Sequence, residues 1–144
     1  MEKLEIIVKA MSDKFGENIV AIDMSQASPI FDTFILCSAS NARIMNAIRD
    51  AIEDNMAKEF LKAFGIFQFE EVGFEGDDIA GTIAKKAAKE GYDVKHVEGL
   101  RDSKWILMDF DDVIVHIFEQ EERRAYNLEK LWADMPTIDI GDYL

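Results

Sequence analysis

Residues 103–132, SKWILMDFDDVIVHIFEQEERRAYNLEKLW, constrain the fold of this chain more than any other stretch. Two apolar runs, Trp105–Phe110 and Val113–Phe118, are split only by Asp111 and Asp112. Runs of that length and composition around a tight turn predict two adjacent strands. A charged segment follows, predicting a short helix that starts near Glu119 and fades before Tyr126. The stretch closes in an aromatic and acidic clasp ending at Trp132.

Upstream, Leu4, Ile7, Val8, Met11 and Phe15 recur at helical spacing, which predicts an amphipathic helix over 2–15 stopped at Gly16. Ile19–Met24 and Phe31–Ser38 read as strands, separated by a loop at Ser25–Pro29. Ser40 or Asn41 caps a long helix with its apolar stripe through Ile44, Ala47, Ile48, Ala51, Ile52 and Met56. That helix is expected to reach Phe64 and to end at Gly65, before an irregular stretch at Phe67–Val72. A second helix begins at Glu75, Asp77 and Asp78, carries Ile79, Ile83, Ala84 and Ala87 on one face, and stops at Gly91. A strand over Asp93–Glu98 and a turn at Gly99–Ser103 complete the order. The last residues, DMPTIDIGDYL, are acidic and are expected to be loosely ordered. Strands broken by one long helix and followed by a meander imply the α/β class, with a mixed five-stranded sheet flanked by helices.

The 144 residues suit a single core, and 49% hydrophobic content is that of a globular protein. No apolar run approaches the roughly 20 residues of a membrane span, so no membrane partner is expected. The N-terminus lacks the pattern of a secretory signal, and Cys37 is the single cysteine, in an apolar strand that suggests a buried thiol. These features point to the cytoplasm. The net charge of −13 argues against direct DNA binding, which needs cations to displace counterions. It suits a basic protein partner.

The 103–132 stretch resembles the signature of the Iojap family, the ribosome silencing factors. Trp105, Asp109, Asp112, His116, Glu122, Arg123, Tyr126, Leu128, Glu129, Leu131 and Trp132 fall at the family's spacing. The likeness extends through IVAIDMSQASPIFDTFILCSASNARIMNAIRDAIEDNM. One departure is Asp111, where the family usually has glycine; Asp tolerates positive φ less well. The resemblance implies a nucleotidyltransferase-like fold. It also implies a non-enzymatic repressor, needing no cofactor, that binds the interface side of the large ribosomal subunit and blocks subunit joining. The implied contact is ribosomal protein fourteen of that subunit.

Residues 59–89 have no counterpart in that pattern. They hold five of the ten Phe and four of the eight Gly, and Ala-Lys-Glu occurs at both seams, 57–59 and 88–90. FGIFQFEEVGFEGDDIAGTIAKKAAKEGYDV resembles part of the 5′-nuclease domain of bacterial DNA polymerase I, with Glu75, Asp77, Asp78, Gly81 and Thr82 matching and Gly76 replacing Ala. In that family the three acids help bind two metal ions. Here the partner carboxylates that two-metal chemistry requires are missing, so the acids are read as vestigial, without metal. The chain thus reads as a host domain, 1–58 plus 90–144, carrying a helix–loop–helix insert at 59–89. Two resemblances meeting at a shared tripeptide point to laboratory recombination, and the alternative function is that of an engineered fold probe.

The expected partner-binding residues are Trp105, Asp109, Asp112, His116, Arg123, Tyr126, Leu131 and Trp132. Amphipathic aromatics dominate binding hot spots; the same rings could instead seal the domain's own core. Asp109, Asp111 and Asp112 are open to three readings: a recognition patch, a weak cation site, or an ordinary turn. His116 shares a strand face with Ile114 and Phe118, as a packed histidine would. No Ser, Cys or second His stands at the spacing of a nucleophile and its base, so no catalytic residue is assigned. The exposed aromatics make a homodimer plausible.

Overall fold

The structure is a computed structural model that describes residues 3–63, 96–98 and 104–144. The expected second insert helix, the stops at Gly65 and Gly91, and Glu75, Asp77 and Asp78 lie outside the described residues.

The elements run α1 (Lys3–Asp13), β1 (Glu17–Asp23), β2 (Thr33–Ala39), α2 (Ala42–Ala63), β3 (His96–Glu98), β4 (Trp105–Asp109), β5 (Val113–Glu119), α3 (Gln120–Tyr126), α4 (Leu128–Leu131) and β6 (Thr137–Ile138). Among the described residues one mixed sheet forms in the order β3-β4-β5-β2-β1-β6. The central pair β2 and β5 is parallel, from Thr33↔Val113 to Ala39↔Glu119, and the other pairs are antiparallel. The five expected strands are all present; residues 93–95 of the third lie outside the described residues, and the boundaries of the other four move by up to two residues.

Both central strands are buried on both faces. On one face Ile35, Cys37, Val115 and Ile117 meet Ile7, Met11, Ile48, Ile52 and Met56 of α1 and α2. Each such buried side chain contributes roughly 1.5–3 kcal/mol. On the other face Phe34, Leu36, Ile114 and Phe118 lie beneath Leu128, Trp132 and Met135. Asn41 caps α2, its Oδ1 accepting a bond from the Ile44 N–H at 2.9 Å. The helix runs past Lys58, as its continued apolar spacing predicted.

Three local readings need correction. Phe15 is not on the buried stripe: it lies beyond α1, 76% exposed, at φ 67°. Its N–H bonds the Ser12 carbonyl and that of Gly16 bonds Met11 at 2.7 Å, a Schellman closure with Phe15 in the left-handed position usually given to glycine. Gly16 is required for a different reason, since a Cβ there would sit 2.8 Å from the Met11 carbonyl oxygen. Finally, the C-terminal residues are ordered. Ala21 and Ile22 pair with Ile138 and Thr137, the Asp23 N–H bonds the Pro136 carbonyl, and Ile140 is buried in the helix-covered face. The two isoleucines, spaced by two in an acidic tail, anchor a sixth strand and tie the chain around the sheet edge.

Candidate partner-binding face

The sheet face opposite the long helices carries a row of aromatic rings. Phe31 stacks on Phe34 at 4.9 Å between centroids, and Phe34 meets His116 edge-on at 4.7 Å. Trp105 stacks on Phe118 at 5.0 Å and touches Tyr126 at 4.9 Å. Strand pairing explains the row: Trp105 lies opposite Phe118 and Leu107 opposite His116, while Phe34 is in register with Ile114 across the parallel pair. Residues two apart on neighbouring strands thus face the same side. Trp132 crosses above, its ring edge toward Phe34 at 6.5 Å.

His116 is 3% exposed. The Trp105 indole N–H donates to its Nδ1 at 3.1 Å, which places the imidazole proton on Nε2. Among the described residues that buried Nε2 has no hydrogen-bond partner. Burial among rings disfavours the charged form and lowers the pKa to about 4, so His116 is neutral at pH 7. It orients Trp105 from below and does not reach the surface.

Arg123 is also buried. Its Nε donates to Glu129 Oε1 at 2.6 Å, and its Nη1 donates to the Asn18 carbonyl at 2.6 Å and Ser38 Oγ at 2.9 Å. Asn18 lies at a bulge in β1 with φ 49°, an irregularity that aims its carbonyl away from the ladder. One guanidinium therefore ties α3 and α4 to the ends of β1 and β2. These partners were not legible in the sequence: Asn18 and Ser38 stand 105 and 85 residues away.

The acidic turn is fixed from within. Asp109 Oδ1 accepts the Asp111 N–H at 2.8 Å, and Phe110 N–H bonds the Val113 carbonyl. Asp111 has φ 75°, the position where glycine would relieve strain. Asp112 forms an ion pair with Lys3 at 2.6 Å, and its carbonyl accepts the N–H groups of Asp32 and Thr33. Among the described residues no three acidic, His or Cys side chains are grouped to hold a metal ion. The hydrogen bonds thus account for these acids as turn and tether.

The side chains that present apolar surface are Tyr126, 55% exposed, and Leu131, 67% exposed, with Trp105 and Trp132 half-buried beside them. Leu128 packs against the cluster under the clasp. Cys37 is fully buried, and burial pushes its thiol up to about 12, so it is not a nucleophile at neutral pH. Among the described residues no helix is long and apolar enough to cross a membrane.

Comparison with known proteins matches this architecture. The family model described as "Ribosomal silencing factor during starvation" matches residues 1–66 and 76–143. A ribosomal silencing factor of Halalkalibacterium halodurans is 32% identical over 139 residues, covering 96% of this chain and 92% of its own length. A solved structure from Bacillus halodurans superposes with a TM-score of 0.61 at 28% identity, covering 95% of this chain and 96% of the other. A shorter segment is similar to another protein. DNA polymerase I of Mycobacterium leprae is 49% identical over 49 residues, which is 34% of this chain but 5% of the polymerase.

Proposed function

The chain belongs to the ribosomal silencing factor family, and from that premise we propose that it represses translation by docking on the large ribosomal subunit and keeping the small subunit from joining. The action is steric and non-enzymatic, takes place in the cytoplasm and needs no cofactor. The contact is a basic protein of the large subunit, number fourteen. The observation that carries this reading is the family match on both sides of residues 67–75.

The clasp face supports the choice of surface. Tyr126 and Leu131 are large, exposed and backed by a rigid aromatic row, which lowers the ordering cost of binding. Trp105 and Trp132 flank them, and Asp109 and Asp112, which brace the turn and pair with Lys3, lie at the far end of the same hairpin as the polar edge of the proposed surface. His116 and Arg123 serve from beneath, one by orienting Trp105 and the other by holding the clasp. The test is co-sedimentation with purified large subunits, combined with a subunit-joining assay. Leu131→Asp and Tyr126→Ala should each weaken binding by about 2 kcal/mol or more and relieve the block on joining. Wild-type protein that is folded yet does not co-sediment would overturn the proposal and leave the fold-probe reading.

The domain organisation is a second proposal. The host is discontinuous, 1–58 plus 90–144, and 59–89 is a recombined segment whose nuclease-like acids carry no chemistry. Its support is the short polymerase-like match; the family match leaves out only residues 67–75 and takes in 59–66 and 76–89.

A further inference from the structure

A polar recess of about 510 Å³ opens beside α3, walled by Asn18, Gln120, Arg123, Arg124, Asn127 and Glu129. We propose that it binds a small phosphate-class oxyanion, carried by a small molecule. The site does not depend on the ribosome-binding reading.

Arg123 supplies the donors. A guanidinium has five N–H donors in a rigid fork. Three are committed, one from Nε to Glu129 and two from Nη1 to Asn18 and Ser38. The two on Nη2 remain. Among the described residues nothing accepts from Nη2, yet it is not one of the sealed polar atoms that lack a partner. Arg123 lines the recess, and in this proposal its uncommitted edge faces that space. A buried guanidinium with two aligned donors facing solvent is shaped for an oxyanion.

Charge points the same way. Glu129 balances Arg123 at 2.6 Å. Arg124, exposed at the wall, forms no ion pair among the described residues, while the Glu17 carboxylate is held at the rim by the Gln120 amide. The chain as a whole carries −13, so a pair of guanidinium groups at one recess stands out from the rest of its surface. Asn18 and Asn127 complete the wall, both on left-handed backbone at φ 49° and 48°. The lining is polar, whereas sites for apolar ligands are lined by hydrophobic side chains. A compact group with several acceptor oxygens fits that donor set. A polynucleotide does not, because an extended polyanion would meet the repulsion of the remaining surface.

The experiment is an amide-resolved NMR titration of the full chain with inorganic phosphate and, separately, with a nucleoside 5′-monophosphate, at constant ionic strength. The expected result is saturable shifts at Asn18, Gln120, Arg124 and Asn127 for both probes. Arg124→Ala, an exposed change that leaves the clasp intact, should weaken binding about tenfold, the loss of one charge-assisted contact. Arg123→Lys keeps the charge, loses the fork and should weaken it further. If that variant does not fold, Arg124→Ala and Arg124→Glu decide alone. Shifts that never saturate would overturn the proposal, as would affinity unchanged in Arg124→Ala. Tighter binding of an RNA oligonucleotide with a 5′-hydroxyl than of the monophosphate would also overturn it, by assigning the surface to RNA.

Discussion

Replacing Arg123 with methionine keeps most of the buried stem and removes the guanidinium. Three hydrogen bonds are lost together. The bond to Glu129 joins two charges, and such bonds contribute about 1.5–3 kcal/mol. Glu129 is one-third exposed and regains water, so its share falls at the low end. The Asn18 carbonyl and Ser38 hydroxyl each lose a partner, at about 1 kcal/mol apiece. The expected destabilisation is about 3 kcal/mol, near the lower bound for breaking a buried pair. With a urea m-value of about 1.5–2 kcal/mol/M, the midpoint should fall by about 1.5–2 M. The two tryptophans, Trp105 and Trp132, both lie in or under the clasp, so fluorescence follows that region while far-UV circular dichroism follows the sheet and helices. A loss below about 1 kcal/mol, or a double-mutant cycle with Glu129→Gln showing no coupling, would refute the view that Arg123 anchors the clasp.

Three further outcomes follow from the same geometry. His116 is held neutral, with its pKa at about 4 against about 6.5 in the unfolded chain, so the unfolded state binds more protons between those values and stability rises with pH there. The contribution is complete above about 6.5 and is lost as pH falls toward 4, removing about 2 kcal/mol between pH 7 and 5; a His116→Gln variant with the wild-type slope would contradict this. Asp111→Gly should stabilise the hairpin by roughly 0.5–1 kcal/mol, because φ 75° suits glycine and the Asp109 side chain still receives the backbone N–H; a lower melting temperature would count against it. Joining Lys58 directly to Glu90 should leave a cooperatively folding domain at least as stable as the full chain, and a molten or insoluble product would show that 59–89 belongs to the core.

Much of the fold could be read from period and punctuation. The hairpin around Asp111 and Asp112 and the capped helix from Asn41 both follow from local spacing. What escaped reading has a common cause. The Arg123 tether, the Lys3–Asp112 pair and the pairing of β6 with β1 join residues 85 or more apart, and no local pattern encodes their partners. Phe15 misled because its helical spacing continued past the last hydrogen-bonded turn. At the candidate site, sequence spacing gathered side chains that the fold divides into two layers, a division that spacing alone did not encode. Trp105, Tyr126, Leu131 and Trp132 are surface or rim, whereas His116 and Arg123 share their motif and lie beneath.

That layering follows from unequal cover on the two sheet faces. Helices of 11 and 22 residues shield one face. The aromatic face has helices of only seven and four residues, joined at Asn127 with φ 48°, and a chain that wraps the edge. Short helices are marginal alone and take their stability from tertiary anchors, here Arg123 and the buried edges of Leu128 and Trp132. Binding and stability should therefore separate by layer. Exposed Tyr126 and Leu131 can change without disturbing the fold, and their loss should appear in subunit binding alone. Glu129 is one-third exposed and holds the Arg123 guanidinium, so Glu129→Gln should loosen the clasp first and weaken binding as a consequence. If Glu129→Gln weakened binding with no loss of clasp stability, Glu129 itself would be a contact residue, and the division into a presenting layer and an anchoring layer would fail.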